Sequence, residues 1–189
     1  MGPLDHVVAL GDVFDDLGVP WVLGGSLASS VLGEPRSTND VDIAVRVAPA
    51  GVEPLVARVD GDYLAPLEAL TDAARRHDWF NLLHHRSSFK VDLFFLGDVD
   101  LDQLQIERRQ LVEVPGLERP IWATSPEDVL LRKLWWYRLG GGVSDREWND
   151  VLSVLRVQRA RLDVETLRAD ADRNGLRALL DEAIRLAAG

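Results

Sequence analysis

Three aspartates occupy positions where a β-strand normally carries an apolar side chain. Asp40 and Asp42 lie in the stretch NDVDIAV, and Asp92 lies in FKVDLFF. Carboxylates are poor strand formers, so their presence in two strand-like stretches indicates a chemical role. Because side chains alternate between the faces of a strand, Asp40 and Asp42 share one face while Val41 and Ile43 share the other.

Three carboxylates on one sheet face repel each other unless a cation lies between them. The chain contains no cysteine, which leaves oxygen and imidazole as metal ligands, and an all-carboxylate set favours Mg²⁺, with Mn²⁺ as the alternative. We therefore expect Asp40, Asp42 and Asp92 to bind metal and to be the catalytic residues of a two-metal phosphoryl transfer.

A glycine turn precedes the aspartates. Gly24 and Gly25 follow the apolar run WVL, and Ser26 is expected to cap the helix that comes next. Glycine allows the backbone to approach a ligand closely, and a helix N-terminus favours phosphate, so this turn is predicted to bind a nucleotide. Arg36 and Thr38, between the turn and Asp40, are further candidates for triphosphate contacts, although Arg36 is equally well interpreted as a surface loop residue.

The pattern around these residues predicts an α/β region over residues 1–97 and a mainly helical region over residues 98–189. Three strands are expected at WVL, VDIAVRV and FKVDLFF, and helices begin after two capping serines, Ser125 and Ser144. Further helices are predicted over residues 4–17, 26–32, 53–59, 164–172 and 176–187.

The ordered set GGS, NDVDIAV and FKVDLFF resembles the polymerase β-like nucleotidyltransferase superfamily. The resemblance implies an α/β (α+β) fold with a small mixed sheet and flanking helices, Mg²⁺, and a nucleoside triphosphate as donor. It implies that Gly25 and Ser26 form the phosphate turn and that Asp40 and Asp42 are the metal-binding pair. Asp92 would be the third acid, which activates the acceptor hydroxyl.

The segment SPEDVLLRKLWWYRLGGGVSDREWNDVLSVL looks like the C-terminal motif of bacterial nucleotidyltransferases related to abortive-infection toxins. That likeness is toxin-antitoxin-like in kind and leaves open whether a partner protein regulates the enzyme. Lys133 matches the lysine of this motif and Asp150 its aspartate. Lys133 lies in an apolar arc of its helix, so its ammonium either contacts triphosphate or extends into water along that face. Asp150 could pair with Lys133, hold Arg146 or bind nucleotide.

Charge bounds the choice of acceptor. The formal net charge of −10 disfavours polyanions, so among a small molecule, a protein side chain and a tRNA 3′ end the last is the least favoured. Four arginines could still form local basic patches: Arg75, Arg76, Arg108 and Arg109. The amphipathic, acidic first residues and the absence of a long apolar run predict a cytoplasmic protein without a membrane span.

Two functions of different classes are consistent with these residues. The first is an enzyme that transfers a nucleoside monophosphate from a triphosphate to an acceptor hydroxyl. The second is a catalytically inactive module of the same fold that binds a nucleotide or a partner. The presence of all three acids, Asp92 included, favours the enzyme.

Overall fold

Seven strands pair into one mixed sheet in the computed structural model, which describes residues 2–38 and 40–188. The strands are β1 (Trp21–Leu23), β2 (Val41–Val45), β3 (Tyr63–Leu64), β4 (Trp79–His84), β5 (Lys90–Phe95), β6 (Gln110–Val112) and β7 (Ile121–Ala123). Their spatial order is β3-β4-β5-β2-β1-β7-β6. The β2–β5 and β1–β7 pairs are parallel and the other neighbours are antiparallel. The predicted mixed-sheet α/β (α+β) class is confirmed.

The helices flank this sheet. They are α1 (Pro3–Asp16), α2 (Gly25–Leu32), α3 (Val52–Val59), α4 (Leu67–Arg76), α5 (Asp100–Glu107), α6 (Pro126–Leu139), α7 (Asp145–Gln158), α8 (Val164–Arg173) and α9 (Arg177–Ala187). The two predicted serine caps are present: Ser125 accepts the backbone N–H of Asp128, and Ser144 accepts that of Glu147. Within residues 2–38 and 40–188, every helix is too short or too polar to cross a bilayer.

Strands from both sides of residue 97, where a domain boundary is expected, belong to one sheet. Two strands from the later part of the chain, β6 and β7, extend it, and β7 pairs directly with β1 through Leu23 and Ala123. Thr124 strengthens this join because its hydroxyl donates to the carbonyl of Leu23 at 2.9 Å. Residues 98–188 are therefore mainly helical, and they also complete the sheet. One apolar core runs from Val7 on α1 to Leu180 on α9.

Arg108 holds the helical layer together and does not contribute to a basic patch. Its guanidinium binds the carboxylate of Asp128 at the start of α6 and reaches Asp170 on α8 at 2.7 Å. Both aspartates are buried. Arg109 lies over the ring of Trp122, with 4.6 Å between the guanidinium carbon and the ring centroid.

We expect Arg108→Ala to lower the free energy of unfolding by about 3 kcal/mol, because it leaves the buried carboxylate of Asp128 without its cation and leaves Asp170 with Arg173 alone. Arg75→Ala is the control: Arg75 is exposed and pairs at 3.2 Å with Asp72 on its own helix, and such surface pairs contribute about 0–1 kcal/mol. Chemical denaturation of both variants measures the difference. Equal losses would contradict a structural role for Arg108.

Candidate active site

The sheet register sets two of the predicted acids side by side. Strands β2 and β5 run parallel with Asp42 paired to Asp92, so both side chains project from the same face. Asn81 on β4 is paired to Asp92 in turn. Asp40 lies one residue before β2, where Thr38 donates a hydrogen bond to its carboxylate. The three predicted carboxylates are thus gathered at one end of the β2–β5 pair.

The two acids of β2 have opposite electrostatic environments. The pKa of Asp42 is raised to about 6, first by burial and then by the negative charges of Asp40 and Asp92. The hydrogen bond from Thr38 instead lowers the pKa of Asp40, with a further contribution from the charge of Arg146. Asp42 is therefore the carboxylate whose negative charge is least compensated in this site.

The glycine turn is built against the carboxylate of Asp42. Gly25 has φ +58°, and a Cβ at this position would overlap the Asp42 carboxylate. The backbone amide of Ser26 acts on the same carboxylate and opposes the rise in its pKa. Gly24 donates its N–H to the Asp42 carbonyl at 2.9 Å. The turn predicted to bind phosphate and the acid predicted to bind metal are consequently in direct contact.

Ser26 does not cap α2, in contrast to the prediction. The helix begins one residue earlier, at Gly25, with Gly24 as the N-cap residue. The Ser26 hydroxyl instead accepts hydrogen bonds from the Nη2 atoms of Arg36 and Arg146, each at 2.7 Å. Two guanidinium groups therefore meet at the start of α2, where the helix N-terminus already favours an anion. Arg36 is a part of this site and not a free surface residue.

A buried carboxylate fixes the direction of these cations. Both carboxylate oxygens of Asp150 on α7 accept hydrogen bonds from the Arg36 guanidinium, at 2.7 and 2.8 Å. The ammonium of Lys133 pairs with the same carboxylate at 2.8 Å. Burial opposes ionisation of Asp150, but the hydrogen bonds from Arg36 and Lys133 outweigh it and leave its pKa below the ordinary value. Of the three roles considered for Asp150, the structure shows the pairing with Lys133.

Lys133 does not extend its ammonium into water. The residue is 5% exposed, and besides Asp150 it contacts Glu147 at 3.1 Å. It also lines the cleft described below. Arg146, which sequence reasoning considered only as a partner of Asp150, contacts Ser26 instead and approaches Asp40 at 3.9 Å. Arg146 belongs to neither the glycine turn nor a strand motif, so no local pattern indicated this position. The packing of α7 on α2 brings it here.

The donor set has the chemistry that a hard divalent cation requires. Asp40 and Asp42 supply carboxylate oxygens, and the raised pKa of Asp42 shows negative charge that a cation would neutralise. Asp92 is engaged otherwise: Lys90 binds it at 2.9 Å and Asn81 donates to its other oxygen. Among the described residues no three His, Asp or Glu side chains form a ready cage for a metal. The residues therefore fit a cation at Asp40 and Asp42, with Asp92 free to join only when Lys90 leaves.

A cleft of about 780 Å³ is lined by Asp40 and Asp42, whereas Asp92, held by Lys90 and Asn81, does not line it. Its polar end is formed by the glycine turn, Asp40, Asp42, Lys133 and Arg146. The cleft then continues across the same sheet face past Phe94 and Trp79, and Trp135 and Trp136 of α6 also line it. A phosphate group at the polar end would thus have space beside it for an organic group.

Comparison with known proteins shows what this fold is similar to. No family model and no curated protein matches the chain. Among solved structures, an antigenic nucleotidyltransferase-like protein from Paracoccidioides brasiliensis has a TM-score of 0.57 and 19% identity, with 96% of this chain and 91% of that chain covered.

The antibiotic-resistance factor ANT(2'')-Ia is also similar, with a TM-score of 0.53 and 16% identity over 99% of this chain and 96% of that chain in its solution structure. Its crystal structure in complex with adenylyl-2''-tobramycin has a TM-score of 0.53 and 16% identity, with 95% of each chain covered. The chain therefore has the polymerase β-like nucleotidyltransferase fold, as the sequence predicted.

We expect Asp42→Asn to stabilise the metal-free protein at pH 7.5, by up to about 3 kcal/mol, because it removes a carboxylate whose pKa is raised on folding. A raised carboxyl pKa costs stability as pH rises from the unfolded value near 3.8 through about 6, so the gain should vanish near pH 4. Asp150→Asn is the opposite case and should destabilise, because the pKa of Asp150 is lowered on folding. Thermal unfolding from pH 4 to 8 measures both changes, and a loss of stability in Asp42→Asn at pH 7.5 would contradict the charge assignment.

Proposed function

We propose that this protein is a nucleotidyltransferase that transfers a nucleoside monophosphate from a nucleoside triphosphate to an acceptor hydroxyl. The observation that carries the proposal is the meeting of two sets of groups at the start of α2. The first set is cationic and surrounds the start of α2: Arg36, Arg146 and Lys133. The second set consists of the carboxylates of Asp42 and its neighbours Asp40 and Asp92. Phosphoryl transfer needs both, because cations bind the phosphates and carboxylates hold the metal that joins them.

The triphosphate would lie across the start of α2. The backbone N–H groups of Gly25 and Ser26 and the guanidinium groups at the Ser26 hydroxyl would bind the β- and γ-phosphates, displacing the contacts they now make with protein atoms. The ammonium of Lys133 would add a further positive charge from α6. Asp150 would not touch the nucleotide; it holds Arg36 and Lys133 in place.

Mg²⁺, or Mn²⁺ in its place, would be held by Asp40 and Asp42, with Asp92 as third ligand, and would neutralise charge on the phosphate oxygens. The acceptor oxygen forms a bond to the α-phosphorus while the bond from that phosphorus to the bridging oxygen breaks, and pyrophosphate leaves with the electron pair. The acceptor proton passes to a carboxylate oxygen of Asp92. For this, Lys90 must release Asp92.

The neighbour in complex with adenylyl-2''-tobramycin supports this direction of transfer, since that ligand is a product of adenylylation on a small molecule. The Arg108 and Arg109 contacts described above remove two of the four arginines considered for a polyanion. A small-molecule acceptor is therefore favoured over a tRNA 3′ end.

The inactive-module alternative rests on one observation, the engagement of Asp92 by Lys90 at 2.9 Å. If that pair is permanent, the protein binds a triphosphate without turning it over. Incubation of the protein with α-labelled nucleoside triphosphates, Mg²⁺ and a cell extract decides between the two. Transfer of label in the wild-type protein, lost in Asp40→Asn and Asp42→Asn, supports the enzyme, while triphosphate binding without transfer supports the module.

We expect Asp150→Asn to weaken triphosphate binding by about tenfold or more, since two cations lose the carboxylate that directs them and charge-assisted contacts typically contribute about 1.5–3 kcal/mol. Isothermal titration calorimetry with a non-hydrolysable ATP analogue and Mg²⁺ measures the affinity, and circular dichroism checks the fold. The sign is decisive. If Asp150 acted only as a nearby negative charge, its neutralisation would strengthen the binding of an anion.

A further inference from the structure

The sheet carries an apolar row next to its carboxylate row. The register pairs Asp42, Asp92 and Asn81 across β2, β5 and β4 in one row, and it pairs Ala44, Phe94 and Trp79 across the same strands in the next. The two rows are two positions apart along each strand, so they lie about 7 Å apart on the same face. We call Trp79, Phe94 and Ala44 the aromatic shelf; all three line the cleft.

The shelf lies on the acceptor side of the proposed reaction, on which this inference rests. The phosphate turn follows β1, and the sheet order places β1 on one side of β2 and β5 on the other. In phosphoryl transfer the attacking and leaving oxygens are roughly in line. If pyrophosphate leaves toward the turn at β1, the attacking hydroxyl approaches from the side of β5 and β4, the strands that carry Phe94 and Trp79.

The charges at this end of the cleft oppose a polyphosphate acceptor. Three carboxylates line it, from Asp78, Asp98 and Asp102. The neighbouring cations are paired: Arg132 binds Asp102 at 2.6 Å, and Arg76 lies 4.0 Å from Asp78. Three carboxylates outnumber the two arginines here, and only Arg76, at 4.0 Å from Asp78 and exposed, is loosely paired. A nucleic-acid strand would therefore meet net negative charge at this end.

The side chains of the shelf instead suit a ring. Trp79 is 49% exposed although it is a large apolar residue, and Phe94 beside it is partly buried against the second apolar cluster of the sheet. The small side chain of Ala44 leaves space next to the carboxylate row. Aromatic side chains exposed in a cleft gain from stacking on a planar or apolar ring.

We propose that the aromatic shelf is the acceptor subsite and that the acceptor is a small alcohol without phosphate groups, with an aromatic or similarly flat ring about 7 Å from its reacting hydroxyl. The hydroxyl lies at Asp92 and the ring lies on Trp79 and Phe94. The shelf thereby selects the acceptor, while the contacts around Ser26 select the donor.

A matched pair of probes tests this subsite: phenyl β-D-glucoside, which carries a ring, and methyl β-D-glucoside, which does not. Saturation-transfer NMR with Mg²⁺ and a non-hydrolysable ATP analogue measures the binding of each. We expect the phenyl glucoside to bind about tenfold more tightly, with saturation transferred to its ring protons. Trp79→Ala should abolish this preference without changing the affinity for the ATP analogue.

Leu83→Ala is the matched control. Leu83 lies on the same strand and face as Trp79 and is 40% exposed, but its partner is Lys90, on the far side of the carboxylate row from the shelf. The preference should survive in this variant. Equal binding of the two glucosides, or a preference that persists in Trp79→Ala, would overturn the proposal.

Two further outcomes separate this proposal from the proposed function. Loss of ATP-analogue affinity in Trp79→Ala would mean that the shelf holds the donor base, and the acceptor subsite would be wrong while nucleotidyl transfer stands. Displacement of the phenyl glucoside by an oligoribonucleotide would also overturn the choice of acceptor. If the wild-type protein binds no ATP analogue, the proposed function itself fails.

Discussion

A single buried carboxylate, that of Asp150, connects the parts of this site. It lies on α7 and binds Lys133 on α6 and Arg36 in the loop before β2, so three separate segments of the chain meet at one negative charge. An unpaired carboxylate in this buried position would be costly. Folding therefore fixes the positions of Arg36 and Lys133, because neither can turn away without weakening the compensation of the buried Asp150 carboxylate.

The carboxylate row shows the opposite strategy. Asp42 lies between Asp40 and Asp92 with too few cations to balance it, and its raised pKa is the result. Groups that bind a substrate or metal commonly store such unfavourable energy, which the ligand then relieves. Arg36 and Lys133 are thus balanced by Asp150, while the described residues compensate the negative charge of Asp42 only in part.

Local patterns in the sequence predicted the part of the site that depends on strand alternation. The alternation around Asp42, the alternation around Asp92 and the glycine turn each follow from residues a few positions apart, which is why they could be identified. The side-by-side position of Asp42 and Asp92 also depends on the pairing of β2 with β5. The capping role of Ser26 was wrong because its hydroxyl is claimed by two arginines from distant segments. Strands β6 and β7 were missed because each has only three residues and, unlike β1, neither is followed directly by a pair of glycines. The position of Trp79 beside Phe94 depends on the pairing of β4 with β5, which no local pattern reveals.

The pairing of β1 with β7 has a consequence for the order in which the molecule is made. Strand β1 carries the phosphate turn near the start of the chain, yet its second neighbour is formed by Ile121–Ala123, about a hundred residues later. During synthesis β1 remains an open sheet edge until that segment has emerged, and contacts of such sequence separation form slowly. An unpaired edge strand is a template for wrong partners. The strand that precedes the glycine turn therefore gains its second neighbour late. A nascent chain that stalls before residue 121 contains the glycine turn and the aspartates but lacks β7, the strand that pairs with β1.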